Sequence, residues 1–280
     1  MATRSNGERR TTRAGRSSRR RPCRSRLLAF HALIATGLLI AGCAGLPMRG
    51  GPPLRIGTAA DYPPVVYEQA GQIVGIEADL AFRLGERIGR PIEFVRLPFV
   101  ELIDALEAGE VDVLMSGLSI TPERARRVRF TVPYMEIGQL ALIRSADLAR
   151  FGRIQRIRRS GVRVGYERGT TGERFVGYEL PSAQSFAFDS VDDGLRSLRS
   201  GRIDYFVHDA PTVWRIAADL EFRDLHGLFR PLTEESVAWA VRQSDADLGD
   251  LLDATLAEWK REGLIGPIVQ HWIPVRITQH

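Results

Sequence analysis

Two short runs carry the residues best suited to grip a small charged molecule. Ser119-Ile120-Thr121-Pro122-Glu123-Arg124 reads as a helix start, with Thr121 as cap, Pro122 at the first helical position and Glu123 in the first turn. Free backbone N–H groups at such a start suit an anion. Arg124 adds a planar guanidinium that matches a carboxylate. Because Arg126, Arg127 and Arg129 follow closely, a solvated surface role for Arg124 stands beside the anion-binding one. The second run is Arg168-Gly169-Thr170-Thr171-Gly172-Glu173, between a strand-like and a helical stretch. Glycine admits close backbone approach, and threonine offers N–H and hydroxyl donors. It is a plausible second anion grip without the Gly-Lys-Ser/Thr of a phosphate loop.

Asp209 ends an apolar run just before Ala210-Pro211. It suits either the cap of the following helix or an acceptor for a ligand ammonium. Tyr62, in Asp61-Tyr62-Pro63-Pro64, and Phe99 could each stack on a ligand, with core packing the competing role for Phe99. Catalytic constellations are few: there is no HExxH, no GxSxG and no Walker motif. His208, His226, His271 and His280 lack metal-ligand spacing, so no metal or cofactor is expected. Glu173 and Asp209 could form an acid/base pair, but nothing in the sequence sets their separation.

The elements that must position these residues alternate between strand and helix from Leu54 onward, as in an α/β protein. Leu80, Leu84 and Ile88 mark one helix face; Leu102 and Leu106 mark another, closed by Gly109. A weak internal repeat is the most informative feature. Leu54-Arg55-Ile56-Gly57 recurs as Val162-Arg163-Val164-Gly165, and Leu106-x-x-Gly109-x-Val111-Asp112 recurs as Leu198-x-x-Gly201-x-Ile203-Asp204. Two similar α/β lobes follow from it. Ligands in open α/β sheets bind beyond the carboxyl ends of strands, and clefts between domains are favoured. The residues just past the repeated strands are Ser116 to Ser119 in one half and His208-Asp209 in the other.

Of 280 residues, 44% are hydrophobic and 26% charged, which excludes global disorder and a polytopic membrane protein. The net charge of +5 is unevenly spread. Residues 1–42 hold ten Arg and a single acid, Glu8, so the remainder is net negative by four. Nucleic acid is therefore not an expected partner. The basic stretch runs into an apolar core, Leu27–Ile40, ending in Ile40-Ala41-Gly42-Cys43. That order resembles a bacterial lipoprotein signal peptide over 1–42, with Cys43 becoming the lipidated N-terminus. Cys23 falls inside the leader, leaving no intrachain disulfide in the mature chain. Residues 43–53, rich in Gly and Pro, read as a tether.

Taken together, several segments resemble the bacterial extracellular solute-binding protein family 3, the polar amino-acid receptors of ABC importers. They are Leu54-Arg55-Ile56-Gly57-Thr58, Tyr62-Pro63-Pro64, Gly75 to Leu80, Met115 through Arg124, Phe130-Thr131-x-Pro133-Tyr134, Gly169-Thr170-Thr171, and Asp204 to Asp209. The resemblance spans residues 54–275. It implies a type II periplasmic-binding-protein fold, two α/β lobes joined by two crossover strands near Leu140–Arg144 and Ser236–Val241. Lobe 1 would be 54–141 plus 236–280, and lobe 2 would be 142–235.

By the same resemblance, Arg124 should clamp a ligand α-carboxylate with the N–H groups of Ser119 and Thr171, the latter in the loop with Thr170. The Gly117 carbonyl, the Ser119 hydroxyl and Asp209 should receive the α-ammonium, while Tyr62 and Phe99 pack on the side chain. Partners would be an amino acid, the transmembrane subunits of an ABC permease, and the membrane through the lipid on Cys43. The protein would be exported, periplasmic or at the cell surface, and not an enzyme. The enzyme alternative is a cyclohexadienyl (arogenate/prephenate) dehydratase on this fold, with Glu173 in the place of the acid. Departures concern the side-chain pocket. Basic-amino-acid receptors carry an acid where this chain has Ala59, although Asp61 is close, so a Lys, Arg or His ligand is disfavoured. Val65 and Asp104 also depart from the family pattern.

Overall fold

A computed structural model describes residues 51–273. The leader, Cys43 and the first part of the tether lie outside the described residues. The end of the tether is exposed, and Arg90 donates to the carbonyls of Pro52 and Pro53.

The chain starts with β1 (Leu54–Thr58), then a small ribbon of β2 (Asp61–Tyr62), β3 (Val66–Gln69) and β4 (Gln72–Val74). Helix α1 (Ile76–Ile88), β5 (Ile92–Arg96), α2 (Leu102–Ala108) and β6 (Val113–Leu114) follow. Next come the one-turn α3 (Pro122–Ala125), β7 (Val128–Phe130) and β8 (Met135–Ile137). The second half runs β9 (Gln139–Arg144), α4 (Leu148–Phe151), β10 (Arg163–Glu167), α5 (Thr171–Glu179) and β11 (Gln184–Phe188). It continues with α6 (Val191–Arg199), β12 (Tyr205–Asp209), α7 (Ala210–Ala218) and β13 (Leu225–Leu228). The chain then returns through β14 (Glu235–Val237) to β15 (Ala240–Arg242), α8 (Ala246–Arg261) and α9 (Ile265–Trp272).

These strands make two five-stranded sheets, ordered β5-β1-β6-β15-β7 and β11-β10-β12-β9-β13. In each, three parallel strands are followed by a fourth that runs against them and a fifth antiparallel to the fourth. The sequence repeat is therefore a repeat of architecture. Its Arg and Asp explain why. The Arg55 main-chain N–H donates to Asp112 Oδ2 at 3.0 Å and its Nη2 to Oδ1 at 2.7 Å. Arg163 does the same to Asp204, at 3.0 and 2.6 Å. Each Asp binds its Arg through backbone and side chain together, which stitches the helix–turn–strand unit to the neighbouring strand. Gly109 and Gly201 make the two turns with φ of 76° and 75°, a region costly for residues with a Cβ.

Apolar cores fill both lobes. One gathers Leu80, Leu84, Trp239, Leu256 and Trp259 beneath α1, α8 and α9. The other lobe packs Leu195, Leu198, Phe206 and Ile216 on one side of its sheet and Val164, Phe175 and Val176 on the other. The final helices thus belong with the first lobe, although they follow the second in sequence.

The connections correct an expectation. Leu140–Arg144 is not a crossover: β9 is an inner strand of the second sheet, paired with β12 and β13. The crossing is made by β8, which pairs antiparallel with β14. Leu140 through Ile143 are all buried, because both faces of this strand are covered. An unbroken apolar run carries no alternation to separate an inner strand from a connector. The return crossing, Glu235–Val237, starts one residue before the expected Ser236, and Ala240–Val241 belong to the first sheet.

Candidate functional site

The carboxyl ends of β1, β6, β10 and β12 converge on a cavity of about 40 Å³ between the two lobes. Tyr62, Phe99, Gly117, Ser119, Arg124, Thr170, Thr171 and Asp209, the eight ligand contacts expected from sequence, all line it. Asp61, Glu167, Val191 and His208 complete the wall.

Thr121 caps α3 through its side chain, which accepts the Arg124 N–H at 3.2 Å. The helix is a single turn, and this bond takes one of its few free donors. The expectation of an anion site at its N-terminus gives way to the guanidinium itself. Arg124 Nη1 donates to Ser119 O at 2.8 Å, and Nη2 crosses to the other lobe to donate to Gly169 O at 3.1 Å. The Phe99 ring lies under it, 5.4 Å from centroid to guanidinium carbon, so Phe99 does more than pack in the core. Burial disfavours the charge on Arg124 and lowers its pKa, with Asp209 and Glu235 opposing the shift.

From the opposite lobe comes Asp209. It is the N-cap residue of α7, yet its side chain makes no capping bond. Its carboxylate instead accepts from Gln139 Nε2 and faces the cavity. The two roles open to Asp209 in the sequence are thereby separated: the backbone starts the helix and the carboxylate is left for the cleft. Burial raises its pKa, His208 partly offsetting and Glu235 adding to the rise. An ammonium group placed beside it would relieve that unfavourable desolvation.

Gly117 has φ 65°, and a Cβ there would fall 2.5 Å from the Tyr62 ring. Only glycine lets the ring close over this wall. The Gly117 N–H is held by Glu77 Oε2 at 2.8 Å, and Tyr134 donates its hydroxyl to Glu77 Oε1 at 2.9 Å. Glu77 is fully buried, which pushes its pKa up to about 8 against the lowering pull of these two donors. The Tyr62 hydroxyl is buried without a hydrogen-bond partner. Burial and then the Asp209 charge raise the phenol pKa, although the two groups do not reach bonding geometry.

Several participants have no local signal in sequence. Glu235, on the return crossover, accepts from Ser119 Oγ at 2.6 Å and Thr171 Oγ1 at 2.7 Å through one oxygen. Its other oxygen accepts from Thr233 Oγ1 at 2.6 Å and Gln139 Nε2 at 3.2 Å. The Ser119 hydroxyl donates here and keeps its lone pairs to accept from a ligand. The Thr170 hydroxyl donates to Glu167 O at 2.7 Å and holds its own loop. At the start of α5 the N–H groups of Thr171 and Gly172 have no intrahelical acceptor. Glu173 does not line the cavity; its carboxylate accepts the Gly169 N–H at 2.7 Å.

His208 Nδ1 accepts the Asp209 N–H at 2.8 Å, and Nε2 lies 2.8 Å from Glu167 Oε2. Burial disfavours the imidazolium, but Glu167, Asp209 and Asp61 together outweigh it and raise the pKa. Protonating Nδ1 would nevertheless break its bond to Asp209. The Asp209 N–H calls for a lone pair on Nδ1, while the Glu167 carboxylate calls for a proton on Nε2.

Residues 54–275 match the model of bacterial extracellular solute-binding proteins, family 3. The putative ABC transporter arginine-binding protein 2 of Escherichia coli is 29% identical, over 84% of this chain and 96% of that protein. Cyclohexadienyl dehydratase of Pseudomonas aeruginosa is 27% identical, over 80% of this chain and 83% of its own. The crystal structure of an ancestral amino acid-binding protein, a precursor of cyclohexadienyl dehydratase, superposes with a TM-score of 0.71 at 30% identity. It covers 79% of this chain and 94% of that one. The chain belongs to the bacterial extracellular solute-binding protein family 3.

Proposed function

We propose that this family 3 protein captures an α-amino acid or close analogue between its lobes and hands it to an ABC permease. It does so as an exported lipoprotein held to the membrane through Cys43. One observation carries the reading: a guanidinium from one lobe and a carboxylate from the other, Arg124 and Asp209, open on the same small cavity. Their charges match the carboxylate and ammonium of an amino acid. Closure around such a guest excludes water and strengthens both charge-assisted hydrogen bonds. Gly117, Ser119 and Thr171 supply the remaining polar contacts, and Tyr62 and Phe99 enclose the apolar part.

Arg124→Ala leaves a desolvated ligand carboxylate unpaired. Calorimetry should register a loss of about 2–5 kcal/mol, ~30-fold or more in affinity. Binding as tight as wild type would overturn the reading. The dehydratase alternative needs an acid in the cavity near the second-lobe loop. Glu173 is instead committed to Gly169 N–H, which supports the binder. Incubation with prephenate is expected to release no phenylpyruvate.

A further inference from the structure

The charges around the cavity do not balance for a zwitterionic guest. Arg124 answers the ligand carboxylate and Asp209 its ammonium. Two carboxylates on the same wall, Asp61 and Glu167, then remain. His208 meets one oxygen of Glu167 through Nε2 and accepts the Asp209 N–H at Nδ1. The other oxygen of Glu167 has no partner among the described residues.

Asp61 reaches the wall because Ala60 takes a left-handed conformation, φ 55°, and turns the chain sharply between β1 and β2. Ala59, whose type argued against a basic ligand, is buried beneath that turn. Partial desolvation and then the charge of Glu167 raise the Asp61 pKa, with Arg96 and His208 opposing the rise. Tyr62 lines the same cavity, and its hydroxyl is buried without a hydrogen-bond partner.

We infer that Asp61 and Glu167, one from each lobe, receive a cationic side chain, so that the ligand is a basic α-amino acid. This rests on the reading of the cavity as an amino-acid site. It makes specificity a matter of charge count: the zwitterion satisfies Arg124 and Asp209, and only a third, positive group satisfies the remaining pair. An anionic side chain would add to the repulsion already present, and a neutral one would desolvate two carboxylates without return.

Calorimetry of the purified protein with L-arginine, L-citrulline, L-lysine and L-norleucine tests it, because each basic ligand is paired with a neutral analogue of similar length. Arginine or lysine should bind at least tenfold tighter than its neutral counterpart. Asp61→Asn combined with Glu167→Gln should erase that preference by weakening arginine and lysine at least tenfold. Equal affinity of wild type for charged and neutral partners overturns the inference, and so does a preference that survives in the double variant. If the neutral ligands bind well and still require Arg124, the amino-acid reading stands and only the basic side-chain assignment falls. Failure to bind any of the four overturns both.

Discussion

The two lobes are near copies at one end of their sheets and unlike at the other. Where the strands begin, Asp112 and Asp204 each clasp an arginine on the neighbouring strand. A second arginine reinforces each clasp from an antiparallel strand. Arg242 Nη1 donates to Leu106 O and Val111 O; Arg144 Nη1 donates to Leu198 O and Ile203 O. Both of these arginines stand 3.7 Å from the clasped aspartate. Where the strands end, the correspondence stops. The first lobe presents Arg124, Ser119 and a glycine under a tyrosine; the second presents Asp209, His208 and Glu167. The duplicated part holds backbone to backbone, and any change there costs stability. The diverged part faces the gap between lobes, where the two ends of a guest differ and identical walls would serve neither.

Removing a clasp tests the first half of that contrast. Asp204 is the more buried, with a side chain 5% exposed against 16% for Asp112. Asp204→Ala strands Arg163, Arg144 and a backbone N–H, and should lower unfolding free energy by about 3 kcal/mol in urea titrations. Asp112→Ala should cost less, since its carboxylate is better hydrated than that of Asp204. Neither should change ligand affinity in the folded protein. A reversed order, or loss of binding without loss of stability, would break the division between scaffold end and ligand end.

Two buried acids give opposite pH signatures. Burial alone would raise Asp204, but the hydrogen bonds and charge of Arg163, with Arg144, hold its carboxyl below the ordinary value. Its contribution is present above the unfolded pKa and is lost as pH falls through the folded one. Glu77 has no cation beside it, and its pKa is pushed to about 8 from an ordinary 4.5. The native state holds that proton more tightly than the unfolded chain, so its contribution is full below 4.5 and fades as pH rises through about 8. Glu77→Gln can still accept from Gly117 N–H and donate to the Tyr134 hydroxyl. Melting curves should show the variant losing less stability than wild type between pH 5 and 9, and parallel curves would refute this origin.

The smallest effect belongs to the ion pair between Arg174 on α5 and Glu123 on α3, which joins the lobes at the exposed rim of the site. Arg174→Ala should alter affinity less than about threefold, with the difference vanishing at high salt.

Much of this is legible in the sequence. The repeated Arg and Asp predicted paired lobes, and the strand ends pointed to Arg124 and Asp209. What escaped was non-local or ambiguous. Glu235 and Gln139 lie 26 and 70 residues from Asp209 in sequence, and only the antiparallel crossing of β8 and β14 brings the hinge acid to the cleft. Glu167 carries no local signal, because only the meeting of the strand ends brings it to the wall beside Asp61. Leu140–Arg144 was misplaced because a strand covered on both faces has no polar side to give it away.

The four bonds to Glu235 are unevenly shared, and that imbalance gives opening a direction. Thr171, Thr233 and Gln139 hold the acid from the side of the second lobe, whereas Ser119 alone ties it to the first. When the halves part, the single tether yields first and the acid travels with the majority. The first lobe is then left with Arg124 and Ser119 uncovered, a landing place for the acid group of an arriving molecule, while the other half carries Glu235 together with Asp209 and Glu167.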